Sequence, residues 1–228
     1  SRSYSAVRIP GRNGQLYLDN GNWEPTTIQY QCSAYNGLKS SMQNFLAAIS
    51  AVPGYHELID DWHPGYYRRA FLTAGTPVDA FADRHGSFTL SFTARPEKWL
   101  VTPDVELTGS GTLTNPTHYN AKPVIKLEFS TITASGSFTI SRMVNGAVAD
   151  QWTIEYTDIQ GDLELDCENM NFTMTDGTEN ANPYVTVTAT EVSGDINMEF
   201  PFFPADSEIQ IAAANASKVT VTPRWWTL

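Results

Sequence analysis

Residues 137–154 read SFTISRMVNGAVADQWTI. Two strand-like runs, Phe138 to Met143 and Val148 to Ile154, flank Asn145-Gly146, the pair that suits a type I′ turn because both central residues must take positive φ. A two-residue turn of this kind ties consecutive strands into an antiparallel hairpin. Its neighbours repeat the theme: PVIKLEF, WTIEYT, LELDCEN, NFTMT, YVTVTAT, INMEFPFF, SEIQIAA and KVTVTPRWW follow one another at spacings of roughly 8 to 12 residues, separated by turn pairs such as Asp176-Gly177. The second half of the chain is therefore expected to be an antiparallel β-sandwich.

The first half differs. VRIPGRNGQLYLDNGNWEP holds the turn pairs Pro10-Gly11, Asn13-Gly14 and Asn20-Gly21 around a short strand-like run at 15–18. Residues 26–34 follow, with Ile28, Tyr30 and Cys32 alternating against Thr27, Gln29 and Gln31, a strand with one buried side. Leu38, Met42, Phe45, Leu46 and Ile49 then fall on one helical stripe, which predicts a helix over 38–50 that stops before Pro53-Gly54. Strand patterns resume in YHELIDD, YYRRAFLT and GSFTLSFTARP. A sheet packed on one helix is the simplest reading.

Between 101 and 123 the composition shifts to Thr, Gly, Ser, Asn and Pro with no apolar period. A domain boundary is expected there, giving an N-terminal α+β domain over 1–105 and a sandwich over 106–228. Charge divides in the same way. Residues 1–100 carry nine Lys or Arg against eight Asp or Glu, and residues 101–228 carry five against seventeen, so the halves stand near +1 and −12. Bare nucleic acid would be repelled by the second half.

The 228 residues include no run of about 20 apolar residues and no apolar core of a signal peptide, so a soluble protein is expected. The chain opens without Met and almost directly in strand, and a natural N-terminal segment is expected ahead of it. Cys32 and Cys167 lie far apart and read as buried small hydrophobes. Asn171 and Asn215 match glycosylation sequons and are read as chance matches.

Catalytic patterns are sparse. Glu164, Asp166 and Glu168 suggest a paired-carboxylate glycosidase, yet they alternate with Leu163, Leu165 and Cys167 as on a strand with one solvated side. His56, His63, His85 and His118 form no metal-ligand spacing, and GRNGQL reads as a turn rather than a phosphate cradle. No catalytic, cofactor-binding or metal-binding residue is assigned. Trp152, Trp225 and Trp226 could stack on sugar rings or fill an inter-domain surface. If 219–228 form one extended strand, Trp225 and Trp226 point to opposite sides.

The ordered set VRIPGRNGQLY, IQYQC, YHELIDDWHPGYYRRAFL, GSFTLSFTARPEKWL, LTNPTHYNAKPVIKL and VTPRWWTL resembles the distal tail proteins of long-tailed bacteriophages over nearly the whole chain. That resemblance implies a non-enzymatic virion subunit at the tail tip, made in the host bacterial cytoplasm. Its N-terminal domain would close a homohexameric ring, and a galectin-like sandwich would sit on the periphery. The implied partners are the tail tube protein, a tail-associated lysin or tail fibre hub and a receptor-binding protein, with DNA passing through the channel without specific binding and no membrane insertion. Ring contacts are expected from residues 11–23 and 62–69, in particular Gly11, Arg12, Asn13, Trp23, Trp62, Tyr66, Tyr67, Arg68 and Arg69, where turns, aromatics and arginines cluster. The alternatives are a saccharide-binding module and a cell-wall hydrolase.

Overall fold

In the computed structural model, the described residues are 2–35, 44–45, 47–49, 51, 53–75, 79–81, 85–191 and 200–228. The chain divides into two compact units, Ser1–Lys98 with Leu228, and Trp99–Thr227. It is mainly β, with antiparallel ladders in both units.

The first unit holds two separate sheets. One is a hairpin of β1 (Arg2–Val7) and β2 (Leu16–Trp23). Between Arg2↔Trp23 and Tyr4↔Asp19 the register shifts, because β2 carries two extra residues there. Asn20-Gly21 reads as a turn, but the strand continues through it as a bulge. Gly21 supplies the positive φ of 74° that this needs, its N–H donating to Asp19 Oδ1 at 2.9 Å.

The other sheet contains β3 (Thr26–Tyr35), β4 (His56–Leu58), β5 (Tyr66–Gly75), β6 (Asp79–Phe81) and β7 (His85–Leu100), with β3 and β6 paired to β7 and β4 to β5. The β3–β7 register sets Thr27 opposite Thr93, Gln29 opposite Ser91, Gln31 opposite Thr89 and Ser33 opposite Ser87. The intervening residues Ile28, Tyr30, Phe88, Leu90, Phe92 and Ala94 make the apolar side, with Leu90 and Ala94 buried. Of the helix expected over 38–50, residues 44, 45 and 47–49 are helical, and the Ala51 N–H donates to Ala47 C=O at 2.9 Å. The remaining positions lie outside the described residues. Phe45 meets Phe88 edge-on, with ring centroids 6.5 Å apart.

The second unit is built on two long strands, β10 (Val124–Val144) and β11 (Ala147–Asp166), reached after β8 (Val105–Leu107) and β9 (Ser110–Thr114). They are joined at Asn145 (φ 53°) and Gly146 (φ 77°), the mirror-image turn the sequence calls for. Besides pairing with each other, the long strands each serve two further ladders. Beside the Val124–Val144 strand, β16 (Lys218–Thr222) pairs with its first part and β15 (Glu208–Ala212) with its last part. β14 (Val185–Glu191) pairs with β11 over 150–156, and β12 (Asn171–Met174) pairs with it over 163–166, carrying β13 (Glu179–Asn180) outside it. The short 3₁₀ turn η1 (Asn182–Tyr184) precedes β14. β9 lines β15, and β8 lines β16.

The sequence breaks β10 into two strands because residues 130–136 lack an apolar period. The chain instead stays paired through a register shift between Glu128 and Thr133, opposite Asp162 and Gln160. One core closes between the layers. Ile125, Leu127, Leu163, Leu165, Val219 and Val221 meet Phe138, Ile140, Trp152, Ile154, Ile209 and Ile211 there.

The stretch 115–121 has no apolar period because its structure is held by a buried amide. Asn115 Nδ2 faces the carbonyls of Tyr119 (3.0 Å), Phe203 (3.2 Å) and Pro204 (3.0 Å), while Oδ1 accepts from the Thr117 N–H and hydroxyl. Asn115→Ala would strand these buried groups, so it is expected to cost about 3 kcal/mol. Urea denaturation should show a lowered midpoint with an unchanged slope.

Candidate functional site

The strands of the β1–β2 hairpin are exposed at every residue but the half-buried Ser3, and they carry apolar side chains on both sides. Cross-strand pairing sets Ser5 opposite Leu18 and Val7 opposite Leu16 on one side, and Ala6 opposite Tyr17 on the other. Leu16 is 46%, Leu18 49% and Tyr17 66% exposed. A lone two-stranded ribbon in water is marginal, and exposed apolar surface of this kind marks an interaction site. Polar contacts lock its shape: Asn20 accepts from Ser5 Oγ at 2.7 Å and donates to Ser3 Oγ at 3.0 Å. Arg2 pairs with Asp19 at 2.7 Å and lies 5.7 Å from the Trp23 ring centroid. Gly11, Arg12 and Asn13 sit in the connecting turn, where the Arg12 N–H donates to Ile9 C=O at 3.2 Å.

A second exposed feature of the same unit is the loop between β4 and β5. Asp60 organises it. One carboxylate oxygen accepts from Tyr30 Oη at 2.6 Å, and the other accepts from the Trp62 and His63 N–H groups at 3.1 and 3.0 Å, with His63 Nδ1 at 3.3 Å. These donors, the Tyr30 hydroxyl first, hold the Asp60 carboxyl below the usual range against burial, which acts to raise it. The Tyr30 phenol moves the other way: burial raises it first, and Asp60 adds to the shift. On this clamped loop Trp62 is 74% exposed, its ring 5.9 Å from that of Tyr30. Tyr66, Tyr67, Arg68 and Arg69 are half-buried on β5, where Arg68 lies opposite Leu58 and Arg69 opposite Glu57. The sequence-predicted contact residues thus fall in two sheets, with Gly11, Arg12, Asn13 and Trp23 on the hairpin and residues 62–69 on the loop and β5.

The tryptophans of the second unit have other surroundings. Trp152 is 1% exposed, edge-on to Phe202 with centroids 5.2 Å apart, and offers no ring side for a sugar. Trp225 is buried against Phe203 at 5.5 Å. Trp226 is half-buried, stacked on Tyr119 at 4.3 Å with its indole N–H donating to Asn120 C=O at 2.9 Å. Simple alternation is not what separates the last two. β16 ends at Thr222, and Arg224, at φ 55°, turns the chain before β17 (Trp226–Thr227). There the Leu100 N–H at the end of β7 donates to Trp225 C=O at 2.9 Å.

The acidic strand is occupied by structural pairs. Asp166 binds the Arg224 guanidinium at 2.9 and 3.3 Å and accepts from Asn169 Nδ2 at 2.9 Å. Although burial acts to raise its carboxyl, Arg224 and Asn169 hold it below the ordinary range. A glycosidase acid needs the opposite shift. Asp162 pairs with Lys126 at 2.6 Å. Among the described residues no group of three or more His, Cys, Asp or Glu could hold a metal ion. His56, His63 and His118 are exposed. Cys32 and Cys167 are both free thiols, the latter buried and its thiol pushed up by burial. No described helix is long and apolar enough to cross a membrane.

Asp60 and Asn115 carry most of the local geometry, and neither stands out in the sequence. An Asp two and three residues before Trp62 and His63 is the signal that could have exposed the first, since a carboxylate there can cap its own loop.

No family model and no curated protein matches the chain. Among solved structures it is similar to the Dit (gp 19.1) protein of phage SPP1, described as a paradigm of the hub adsorption apparatus in phages infecting Gram-positive bacteria. The TM-score is 0.66 at 14% identity, covering 100% of this chain and 89% of that one. The chain shares that fold. A weaker likeness, to the phage P2 baseplate in its activated conformation with calcium, has a TM-score of 0.45 at 8% identity over 97% and 85% of the two chains. A fructosyltransferase from A. japonicus reaches 0.23 at 7% identity, over 69% of this chain and 34% of that one. Neither of these two scores supports an argument.

Trp152→Ala is expected to cost about 3–5 kcal/mol. Trp62→Ala should stay within about 0.5 kcal/mol of the parent, both read by urea denaturation. The contribution of Asp60 is complete above the ordinary carboxylate value near 3.9 and fades as pH falls through its lower folded value. Asp60→Asn should therefore flatten the acid limb of the stability profile below about pH 4.

Proposed function

We propose that this protein is a distal tail subunit of a long-tailed bacteriophage, a non-enzymatic component of the virion tail tip made in the bacterial cytoplasm. The observation that carries this reading is the end-to-end match with the SPP1 Dit fold, which takes in both units of this chain and most of the other. A single shared domain would leave the function open, because common folds host many activities. Correspondence of two different units in the same order is a narrower coincidence.

The first unit closes a homohexameric ring. Its hairpin has the physical character such a role demands: apolar on both sides, stiffened by its own polar contacts, and uncovered in the single chain. The partner it calls for is another copy. Residues 2–23 carry Arg2, Arg8 and Arg12 against Asp19, a positive segment in a chain of net charge −11, so the complementary surface is at hand on a neighbour. A head-to-tail contact of this type closes a ring when its rotation divides the circle.

The ring joins the tail tube protein to a tail-associated lysin or tail fibre hub and to a receptor-binding protein, and DNA crosses its centre without specific binding. The sandwich forms the rim. Nothing favours a saccharide role for it, since Trp152 and Trp225 are spent on its core.

Native mass spectrometry should give a six-fold mass for the parent chain. Leu16→Asp with Leu18→Asp, two exposed changes on one side of the hairpin, should shift the assembly to monomer with at least a tenfold weaker association. The urea unfolding of the sandwich should remain within about 0.5 kcal/mol. A parent that stays monomeric at every concentration would refute the ring.

A further inference from the structure

On the assumption of that ring, we propose that the uncharged side of the β3–β7 ladder is the wall past which double-stranded DNA slides. The four outward cross-strand pairs described above consist entirely of hydroxyl and amide side chains. Gln29 Nε2 donates to Ser91 Oγ at 3.3 Å, and Thr73 Oγ1 on β5 meets Thr93 Oγ1 at 2.6 Å, so the carpet extends across three strands. Charge returns to this side of β7 only at Arg95 and Glu97, beyond the last pair. The other side of the ladder is the apolar one, so the hydroxyl and amide side is the outer surface of this sheet.

Three ordinary uses of an outer sheet surface fit poorly. A surface that merely faces water carries mixed Lys and Glu, as the outer side of the sandwich does with Lys126, Asp162 and Glu164. A protein-docking patch is anchored by aromatics, Met and Arg, and is depleted in Ser. A nucleic-acid-binding surface needs Lys or Arg for the phosphates, and aromatics where it grips single strands. Hydroxyls and amides exchange hydrogen bonds with water and with phosphate oxygens on equal terms and carry no net charge. They neither trap a polyanion, as lysines would through counterion release, nor repel it, as carboxylates would. A surface that must let a polyanion pass has to satisfy both conditions at once.

Gln29→Lys with Gln31→Lys adds two exposed cations per copy on this side. Thr186→Lys with Thr188→Lys adds the same charge to exposed positions of β14 on the sandwich and serves as the control. Each assembled protein is mixed with linear duplex DNA or with a covalently closed circle of the same sequence, and the retained DNA is measured at low and high salt. A closed circle has no end to thread. The proposal expects the parent to retain neither form, and the Gln29→Lys, Gln31→Lys ring to retain linear DNA at least about tenfold over the circle, with retention lost as salt rises. Ser91→Lys, which places a cation on the facing strand, should reproduce the preference. Equal retention of both forms would put the surface outside the ring, and no retention would remove it from the DNA path; either result overturns the proposal. Loss of assembly confined to the 29, 31 and 91 variants would make the surface a contact between copies and also overturn it. A parent chain with no closed-ring mass would instead defeat the proposed function first, and this inference with it.

Discussion

The sandwich depends on one buried side-chain amide. Asn115 is 1% exposed; its NH2 group shares two hydrogens among three facing carbonyls, and its Oδ1 accepts from the Thr117 N–H and hydroxyl. Around it the backbone closes through Asn115 N–H to Ser207 C=O, Asp206 N–H to Thr117 C=O and the paired bonds between Ala121 and Phe203. No hydrocarbon side chain could do this, because a buried carbonyl without a donor costs more than its neighbours' packing returns. With segment 115–121 fixed against 203–207, Phe202 and Phe203 are driven into the core, beside Trp152 and Trp225. The same segment delivers Tyr119 and Asn120 to Trp226, so it also sets where the chain's last residues lie.

Features whose physics is local were legible in the sequence. Asn145-Gly146 announces its turn because two adjacent positive φ values admit few other residues, and the period of two in 26–34 and 87–93 gives the two sides of the β3–β7 ladder directly. Features that depend on partners far along the chain were not. β8 and β9 are edges of three and five residues, too short to show a period, and they exist because β16 and β15 offer them ladders more than 90 positions away. Asn20-Gly21 has the residue types of a turn, but pairing with β1 on both sides carries the strand through it. Residue type alone leaves Trp152 open to stacking on a sugar or to packing, and its place in the strand decides for the core. Trp152, Ile154 and Tyr156 occupy alternate positions of one strand and share its buried side.

Two solutions to the burial problem stand in one chain. The second unit buries most of its large aromatics within itself, and its least exposed carboxylates, Asp162, Asp150 and Asp166, are paired in place with Lys126, Arg142 and Arg224. Removing one partner there would leave a partly buried charge uncompensated, so these pairs read as structural rather than as catalytic acids. The hairpin of the first unit cannot follow that route. Two strands have only two sides, both carry exposed apolar side chains, and among the described residues no third strand joins its sheet. In the proposed ring, a neighbouring copy would cover it.

That asymmetry bears on how charge is distributed. In the proposed ring, a rim acidic by about twelve charges would keep the assembly soluble and hold the sandwiches apart, so association would be confined to surfaces where charge is nearly balanced. The first unit is balanced, and within it most arginines stand on the hairpin and β5, while the four facing outer pairs of β3 and β7 carry none. Composition alone cannot produce that placement, since strands tolerate Lys and Glu on a wet side at little cost. Four facing pairs kept free of both signs of charge, in a unit that carries arginines elsewhere, would suit the proposed ring subunit, which has to grip its neighbours and leave what runs between them unheld.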